Sequence, residues 1–226
     1  MKARWPAVLV FDAYGTLFDL TPVTAALETA FPTQGKSLGQ SWRDIQLRYT
    51  WLYSLTGRWV DFEQVTADAW VAACQNAGRD PTDSVAQGWP DFYRRLPPFP
   101  DAAPVLQSLR DAGWCLVLLS NGTTAQLNAL IEAAGWQSLL RVLSADAVRA
   151  YKPDPRVYRL VPQQLGVAVE DVVFISSNAW DVVGALAFGF RCAWLNRSGA
   201  PFEVMGLQPD WVLHSLSDLA DRLTQR

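Results

Sequence analysis

The chain has 226 residues, a net charge of −3 from 19 basic and 22 acidic side chains, and a single histidine, His214. One histidine excludes a zinc site built on two or three imidazoles, and any nucleophile–histidine–acid triad would have to use His214. The chain has no basic cluster and therefore no electrostatic case for nucleic-acid binding. Three widely spaced cysteines outside any C-x-x-C motif indicate buried free thiols of a reducing compartment.

Short apolar segments argue against export and against a membrane span. The apolar run in the N-terminal segment MKARWPAVLVFD is too short for a signal peptide. The longest uncharged apolar stretch, at residues 182–190, is too short to cross a bilayer. We therefore expect a cytoplasmic protein that makes no membrane contact.

The hydrophobic pattern predicts strands that alternate with helices. An apolar run at residues 7–11 predicts a buried first strand, and later runs that predict strands lie at 115–119, 172–175, 192–195 and 211–213. Helical patterns with capping residues or closing glycines occupy 101–113, 123–135, 154–166 and 181–189. This alternation predicts an α/β fold with a Rossmann-like parallel sheet and helices on both faces.

The span between the first two predicted strands has a different pattern, because it contains no convincing strand. Helical patterns lie at residues 41–57, at 61–78 behind a D-x-x-Q capping pattern, and at 83–95. The proline-rich run LPPFP at 96–100 predicts a linker. We therefore predict a catalytic core of residues 1–18 and 98–226, with residues 19–97 inserted after the first strand as a helical-bundle cap subdomain.

Polar side chains gather where the predicted strands end, which is where open parallel sheets bind ligands. They are Asp12 in FDAYGT, Ser120 and Asn121 in LSNG, Lys152 in AYKPDP, and Ser176, Asn178 and Asp181 in SSNAWD. Each also has a plainer interpretation, as a turn residue, a solvated lysine or a charge that suits a helix N-terminus. Their joint occurrence along one sheet edge favours a functional site.

These motifs resemble, in order and spacing, the four signatures of the haloacid dehalogenase superfamily, and more closely those of its L-2-haloacid dehalogenases. SWRDIQLRYTWL and the later DF resemble cap signatures of the same family, so the resemblance covers nearly the whole chain. It implies hydrolytic removal of halide from short (S)-2-haloalkanoic acids, with inversion to (R)-2-hydroxy acids. It implies no metal and no other cofactor, and it suggests a homodimer.

The resemblance also implies roles for individual residues. Asp12 is the expected nucleophile that forms a covalent ester, Lys152 holds it ionised, and Arg43 receives the halide. Asn121 and Trp180 would lie beside that halide. The water that cleaves the ester is expected to be activated by Asp181, which Ser176 and Asn178 position. The groups expected to bind the substrate or support the site are Ser120, backbone N–H groups near Tyr14 and Gly15, Tyr14 itself, Thr16, Tyr158, Leu47 and Phe62.

Three departures bear on this interpretation. Superfamily phosphatases have a second aspartate where Tyr14 stands and an acidic pair where Ser176 and Ser177 stand, so a phosphatase is the less favoured alternative, together with a non-catalytic binding protein. Asp44 follows Arg43, where the family often has glutamine. That acid could orient Arg43 or weaken its pull on halide.

Overall fold

A six-stranded parallel sheet forms the centre of the computed structural model, which describes residues 8–82 and 88–224. The strands are β1 (Val8–Phe11), β2 (Cys115–Ser120), β3 (Arg141–Ser144), β4 (Val172–Ser176), β5 (Arg191–Leu195) and β6 (Trp211–Leu213). Their order across the sheet is β3-β2-β1-β4-β5-β6, and every neighbouring pair is parallel. The predicted Rossmann-like sheet is confirmed.

Eight α-helices accompany the sheet within the described residues. Three lie between β1 and β2, namely α1 (Thr21–Ala30), α2 (Gly35–Thr56) and α3 (Phe62–Asn76). The others are α4 (Ala102–Asp111), α5 (Thr124–Ala133), α6 (Pro155–Leu165), α7 (Ala179–Phe188) and α8 (Leu216–Thr224). Contacts join α4 to β2 and α8, and α7 to β4, β5 and α6. None of these helices is both long and apolar enough to cross a membrane.

Local sequence signals explain where several helices begin. Thr123 and Gln126 form a reciprocal capping box at the start of α5. The Asp61 side chain accepts a hydrogen bond from the Gln64 backbone N–H at the start of α3, as predicted. Only half of that second box forms, because the Gln64 side chain donates to Asp68 instead.

The start of α2 was predicted six residues too late, and α1 was not predicted. Gly35 and Gly39, at the start of α2, have low helix propensity. Packing explains why glycine stands at these two positions. A Cβ atom at Gly35 would lie 2.2 Å from the Leu27 carbonyl oxygen of α1, and one at Gly39 would lie 3.1 Å from the Leu27 side chain. The first turns of α2 are therefore stabilised by their close packing against α1 and not by helix propensity.

Two further predictions are wrong in part. Residues 83–87 of the predicted helix at 83–95 lie outside the described residues, and Trp89–Arg94 forms a 3₁₀ helix. Asp101 was expected to cap α4 with its side chain, but that carboxylate accepts two hydrogen bonds from Arg197, both of 2.9 Å, and one from the Leu216 N–H. Its ion pair with Arg197 therefore decides its conformation.

The two chain segments that lead into and out of the helical span run side by side. The Asp19 N–H donates to the Pro97 carbonyl at 2.8 Å, and the Phe99 N–H donates to the Leu17 carbonyl at 2.9 Å. An antiparallel bridge joins Phe18 to Pro98 between them. This short paired strip of backbone joins the two ends of the helical span.

All three cysteines are free thiols, as predicted. Burial raises the pKa of the Cys74 thiol to about 11 and that of Cys192 further still. Both thiols are therefore protonated at neutral pH and unsuited to nucleophilic attack.

Replacement of Asp61 by alanine tests the cap of α3. Asp61→Ala removes the acceptor for the Gln64 N–H and should lower the free energy of unfolding by about 1 kcal/mol, measured in urea. Asp61→Ser keeps a capping oxygen and should remain within a few tenths of a kcal/mol of the parent protein. Equal stability of Asp61→Ala and the parent would contradict this account of the cap.

Candidate active site

The register of the two central strands brings sequence-distant polar groups together. Phe11 of β1 pairs with Ile175 of β4, so Asp12 and Ser176 lie side by side where these strands end. The sheet order reverses between β1 and β4, the position where doubly wound sheets form a ligand crevice. Ser120 ends the neighbouring strand β2.

The Asp12 carboxylate lies at the centre of this edge with one donor on one oxygen and three on the other. Lys152 Nζ lies 3.1 Å from Asp12 Oδ1. Asn178 Nδ2 donates to Oδ2 at 2.8 Å, and the Thr16 and Ser176 hydroxyls donate to it at 3.2 and 3.3 Å. These donors suit an ionised carboxylate, which only accepts hydrogen bonds.

Lys152 joins two carboxylates inside the protein. Its Nζ also donates to Asp181 Oδ2 at 2.9 Å, and its side chain is buried. Burial alone would lower the pKa of Lys152, but the charges of Asp12 and Asp181 outweigh it and raise that pKa above its ordinary value. The Asn121 side chain accepts from the Lys152 N–H at 2.8 Å, which fixes the backbone that carries this lysine.

The second carboxylate, Asp181, is fully buried in the first turn of α7, where the helix dipole favours negative charge. Burial and the neighbouring Asp12 charge raise the pKa of Asp181 to about 6, against the opposing effects of Lys152 and Tyr158. Tyr158 donates its hydroxyl proton to Asp181 Oδ1 at 2.7 Å. A carboxylate in this pKa range is suited to take a proton at neutral pH.

A narrow cavity above Asp12 gathers ten of the fourteen predicted site residues. Its lining consists of Asp12, Tyr14, Arg43, Leu47, Phe62, Ser120, Asn121, Lys152, Asn178 and Trp180. The other four are absent from this lining: Thr16 and Ser176 donate to Asp12, Tyr158 donates to Asp181, and Asp181 accepts from Lys152. Tyr158 and Thr16 were expected among the substrate groups, and the structure places them as supports of the two carboxylates.

One expected donor is already engaged. The Gly15 N–H, one of the backbone groups near which a substrate carboxylate was expected, donates to the Phe18 carbonyl at 2.8 Å. The tight turn after β1, with Gly15 at φ +80°, requires this bond. Two other buried groups in the cavity lining, the Tyr14 hydroxyl and the Trp180 indole N–H, have no hydrogen-bond partner among the described residues.

Arg43 enters the cavity from α2 without a carboxylate partner among residues 8–82 and 88–224. Its Nη1 donates to the Gln46 side-chain oxygen at 2.7 Å. Asp44 follows Arg43 in the chain and was considered as a partner for its charge. Its side chain accepts a hydrogen bond from Gln40 at 2.8 Å on the exposed side of the helix. Asp44 therefore neither orients Arg43 through an ion pair nor bonds to it.

Sequence reasoning missed Tyr151, which joins the helical span to the loop that carries Lys152. The Tyr151 N–H donates to the Ser54 hydroxyl at 2.8 Å, and its own hydroxyl donates to the Val60 carbonyl at 2.6 Å. Its ring stacks on Trp59 with centroids 4.6 Å apart. Its position next to Lys152 in the chain was the available signal, but these partners lie about 90 residues away in the sequence.

The acidic residues at this edge do not form a metal cage. In the part of the chain that the structure describes, no group of three or more His, Cys, Asp or Glu side chains is placed to hold a metal ion. Lys152 Nζ lies between Asp12 and Asp181, so a protein cation occupies the space between the two carboxylates.

The chain combines a parallel sheet, a helical insertion after the first strand, and an aspartate at the end of that strand that is bonded to a buried lysine. The family model of haloacid dehalogenase-like hydrolases matches residues 6–189. The chain belongs to this family.

Individual relatives have similar lengths as well as similar sequences. The (S)-2-haloacid dehalogenase of Pseudomonas sp. (strain YL) is 43% identical over 209 residues, which cover 92% of this chain and 90% of that one. Haloacetate dehalogenase H-2 of Moraxella sp. (strain B) is 38% identical over 206 residues, with 91% and 92% covered. The L-2-haloacid dehalogenase of Xanthobacter autotrophicus with chloropropionic acid covalently bound superposes with a TM-score of 0.88 at 38% identity, covering 97% of this chain and 99% of that chain.

The titration of Asp181 tests the electrostatics of the site. The Asp181 carboxyl carbon, followed by NMR and assigned through its loss in Asp181→Asn, should titrate near pH 6. Tyr158→Phe removes a donor to the ionised form and should move that midpoint to higher pH. An unchanged or lower midpoint in Tyr158→Phe would show that this hydroxyl does not stabilise the ionised carboxylate.

Proposed function

We propose that this protein is an (S)-2-haloacid dehalogenase that hydrolyses short 2-haloalkanoic acids to (R)-2-hydroxy acids through an ester on Asp12. The observation that carries this proposal is that Asp12 and Arg43 line the same small cavity. Asp12 accepts hydrogen bonds from four donors, and Arg43 has no carboxylate partner among the described residues. A nucleophile on one side and a cation on the other match a displacement that releases an anion.

The first step forms the ester and releases the halide. Asp12 Oδ1, whose one partner among the described residues is Lys152, attacks C2 of the substrate, and the halide leaves with the electron pair of the carbon–halogen bond. Attack from the side opposite the leaving group inverts C2. Arg43 and Trp180 line the cavity, and the Trp180 indole N–H has no hydrogen-bond partner in the described part of the chain. We assign to these two groups the stabilisation of the negative charge that develops on the halide.

The second step cleaves the ester. Water attacks the carbonyl carbon of the Asp12 ester, Asp181 takes a proton from that water, and the hydroxy acid leaves with the proton that Asp181 returns. Each Asp181 oxygen has one bond to Lys152 or Tyr158 and retains a further lone pair. Since Asp181 must be ionised to act, turnover should decline below about pH 6.

Substrate recognition falls to polar groups beside Asp12 and to apolar groups above it. We assign the substrate carboxylate to the side of the cavity that Ser120 lines. Leu47 and Phe62 face it from α2 and α3 and cover the substituent on C2.

Several features support catalysis without a metal. Lys152 supplies positive charge where the two carboxylates meet. Tyr14, Ser176 and Ser177 stand where phosphatases of the superfamily carry acidic groups. A phosphate dianion beside Asp12 would lack the countercharge it needs, which disfavours the phosphatase alternative.

We further propose that residues 19–97 act as a cap over a core of residues 1–18 and 98–226. The cavity between them has a volume of about 10 Å³, close to the space that one water molecule needs. The cap must therefore move before a haloacid can enter, and the paired backbone at Leu17–Asp19 and 97–99 is where we expect the hinge. The homodimer and the cytoplasmic location stay predictions.

Halide release from 2-chloropropionate tests the proposed activity. The parent protein should release chloride from the (S) enantiomer, yield (R)-lactate, and keep its rate in EDTA. Asp12→Asn should lose at least about three orders of magnitude in rate, because an amide is a far weaker nucleophile than a carboxylate. Asp111→Asn, at the exposed end of α4, is the matched control and should behave as the parent. Failure to release halide from any short 2-haloacid would refute the proposal.

Isotope labelling separates the ester route from direct attack of water on C2. One turnover with excess enzyme in ¹⁸O water should place the label in the Asp12 peptide, since water attacks the aspartyl carbonyl carbon. Label confined to the hydroxy acid would refute the ester route while leaving the dehalogenase activity intact.

A further inference from the structure

We propose that Gln46 is a positioning residue that holds Arg43 in its halide-facing orientation while leaving its charge unneutralised. The inference rests on the proposed dehalogenase function. Gln46 follows Arg43 by three residues in α2, so both side chains share one helix face.

Gln46 is a fully buried amide. Its side-chain oxygen accepts from Arg43 Nη1 at 2.7 Å and from the Tyr93 hydroxyl at 3.4 Å. Its side-chain nitrogen donates to the Thr66 hydroxyl oxygen at 2.7 Å. Every polar atom of the buried amide thus has a partner, which is the condition under which a buried amide is tolerated.

Thr66 determines which way this amide points. The Thr66 hydroxyl donates its only proton to the Phe62 carbonyl at 2.6 Å, so toward Gln46 it can only accept. The Gln46 nitrogen must therefore face Thr66, and the oxygen must face Arg43. In the relay Arg43–Gln46–Thr66–Phe62, each group donates a hydrogen bond to the next, from α2 to α3.

The neutral character of this acceptor matters for the charge of Arg43. An acidic side chain at position 46 would form an ion pair with Arg43 in a buried setting and compete with a departing halide. The neighbouring acids are engaged elsewhere, since Asp44 accepts from Gln40 and Glu63 pairs with Arg94. Gln46 therefore orients the guanidinium and leaves its full charge for the halide.

The same relay fixes the apolar side of the pocket. It ends on the Phe62 carbonyl, and the Phe62 ring stacks on Tyr14 with centroids 5.7 Å apart in the cavity lining. The Trp42 indole N–H donates to the Thr66 carbonyl at 2.9 Å and joins the same two helices a second time. Arg43 and Phe62 are thus held at a fixed separation on opposite ends of one hydrogen-bonded chain.

This arrangement predicts an effect that depends on the leaving group. Chloride is a poorer leaving group than bromide, so its departure depends more on an oriented cation in the transition state. Loss of the relay should therefore reduce kcat/KM for 2-chloropropionate more than for 2-bromopropionate. It should also weaken product inhibition by bromide, which reports halide binding without chemistry.

Two pairs of variants test the proposal. Gln46→Glu places a negative charge beside Arg43, and the carboxylate should compete with bromide for the guanidinium. Because hydrogen bonds between charged groups are strong, this variant should weaken bromide inhibition by at least about tenfold. Gln46→Met removes the acceptor at similar volume and should raise the bromide-to-chloride ratio of kcat/KM. Thr66→Val breaks the relay at a distance from the substrate and should cause a smaller shift in the same direction, while Thr66→Ser keeps the hydroxyl and should match the parent.

The outcomes separate this inference from the proposed function. A parent protein that releases no halide would refute the dehalogenase itself. An active parent whose Gln46 and Thr66→Val variants lose only thermal stability, with an unchanged halide inhibition constant and an unchanged leaving-group ratio, would show that Gln46 is purely structural. If the Gln46 variants do not fold, the comparison of Thr66→Val with Thr66→Ser decides the matter alone.

Discussion

One buried lysine between two buried carboxylates is the constraint on which the rest of this structure depends. Lys152 bonds to Asp12 and Asp181 with almost no contact with solvent. Removal of one partner from such a group leaves an uncompensated charge, which is strongly destabilising. The backbone bond to Asn121 and the contacts of Tyr151 with the helical span hold Lys152 in place. The lysine that balances the two buried negative charges is therefore also the group that holds Asp12 and Asp181 in position.

The two faces of the pocket follow different physical rules. The sheet side is rigid, because parallel strands in register bring Asp12, Ser120 and Ser176 to one edge. The helical side places a cation and apolar rings above them through hydrogen bonds between α2 and α3. In the proposed reaction, Asp12 on the sheet side and Arg43 on the helical side serve the two ends of an in-line displacement.

Much of the core and of the site could be predicted because the signals are local. Apolar runs mark the strands, Thr123 and Asp61 mark helix starts, and polar residues follow the strands directly. Other features have no local signal. The roles of Gln46 and Thr66 depend on a contact across 20 residues, and that of Asp101 depends on Arg197, 96 residues away. Gly35 and Gly39 lowered the helical signal although packing against α1 required them.

The sequence by itself determined most of the strands and helices, though not β3 or α1, and the chemical groups at the sheet edge, since periodicity and strand ends are properties of neighbouring residues. Only the tertiary structure decided which of those groups face the cavity and which support them from behind. It placed Tyr158 on Asp181, turned Asp44 away from Arg43, and engaged the Gly15 N–H within its own turn. The physical reason is that each polar group has a small number of donor hydrogens and acceptor lone pairs, and only the packed chain shows which partner takes each of them.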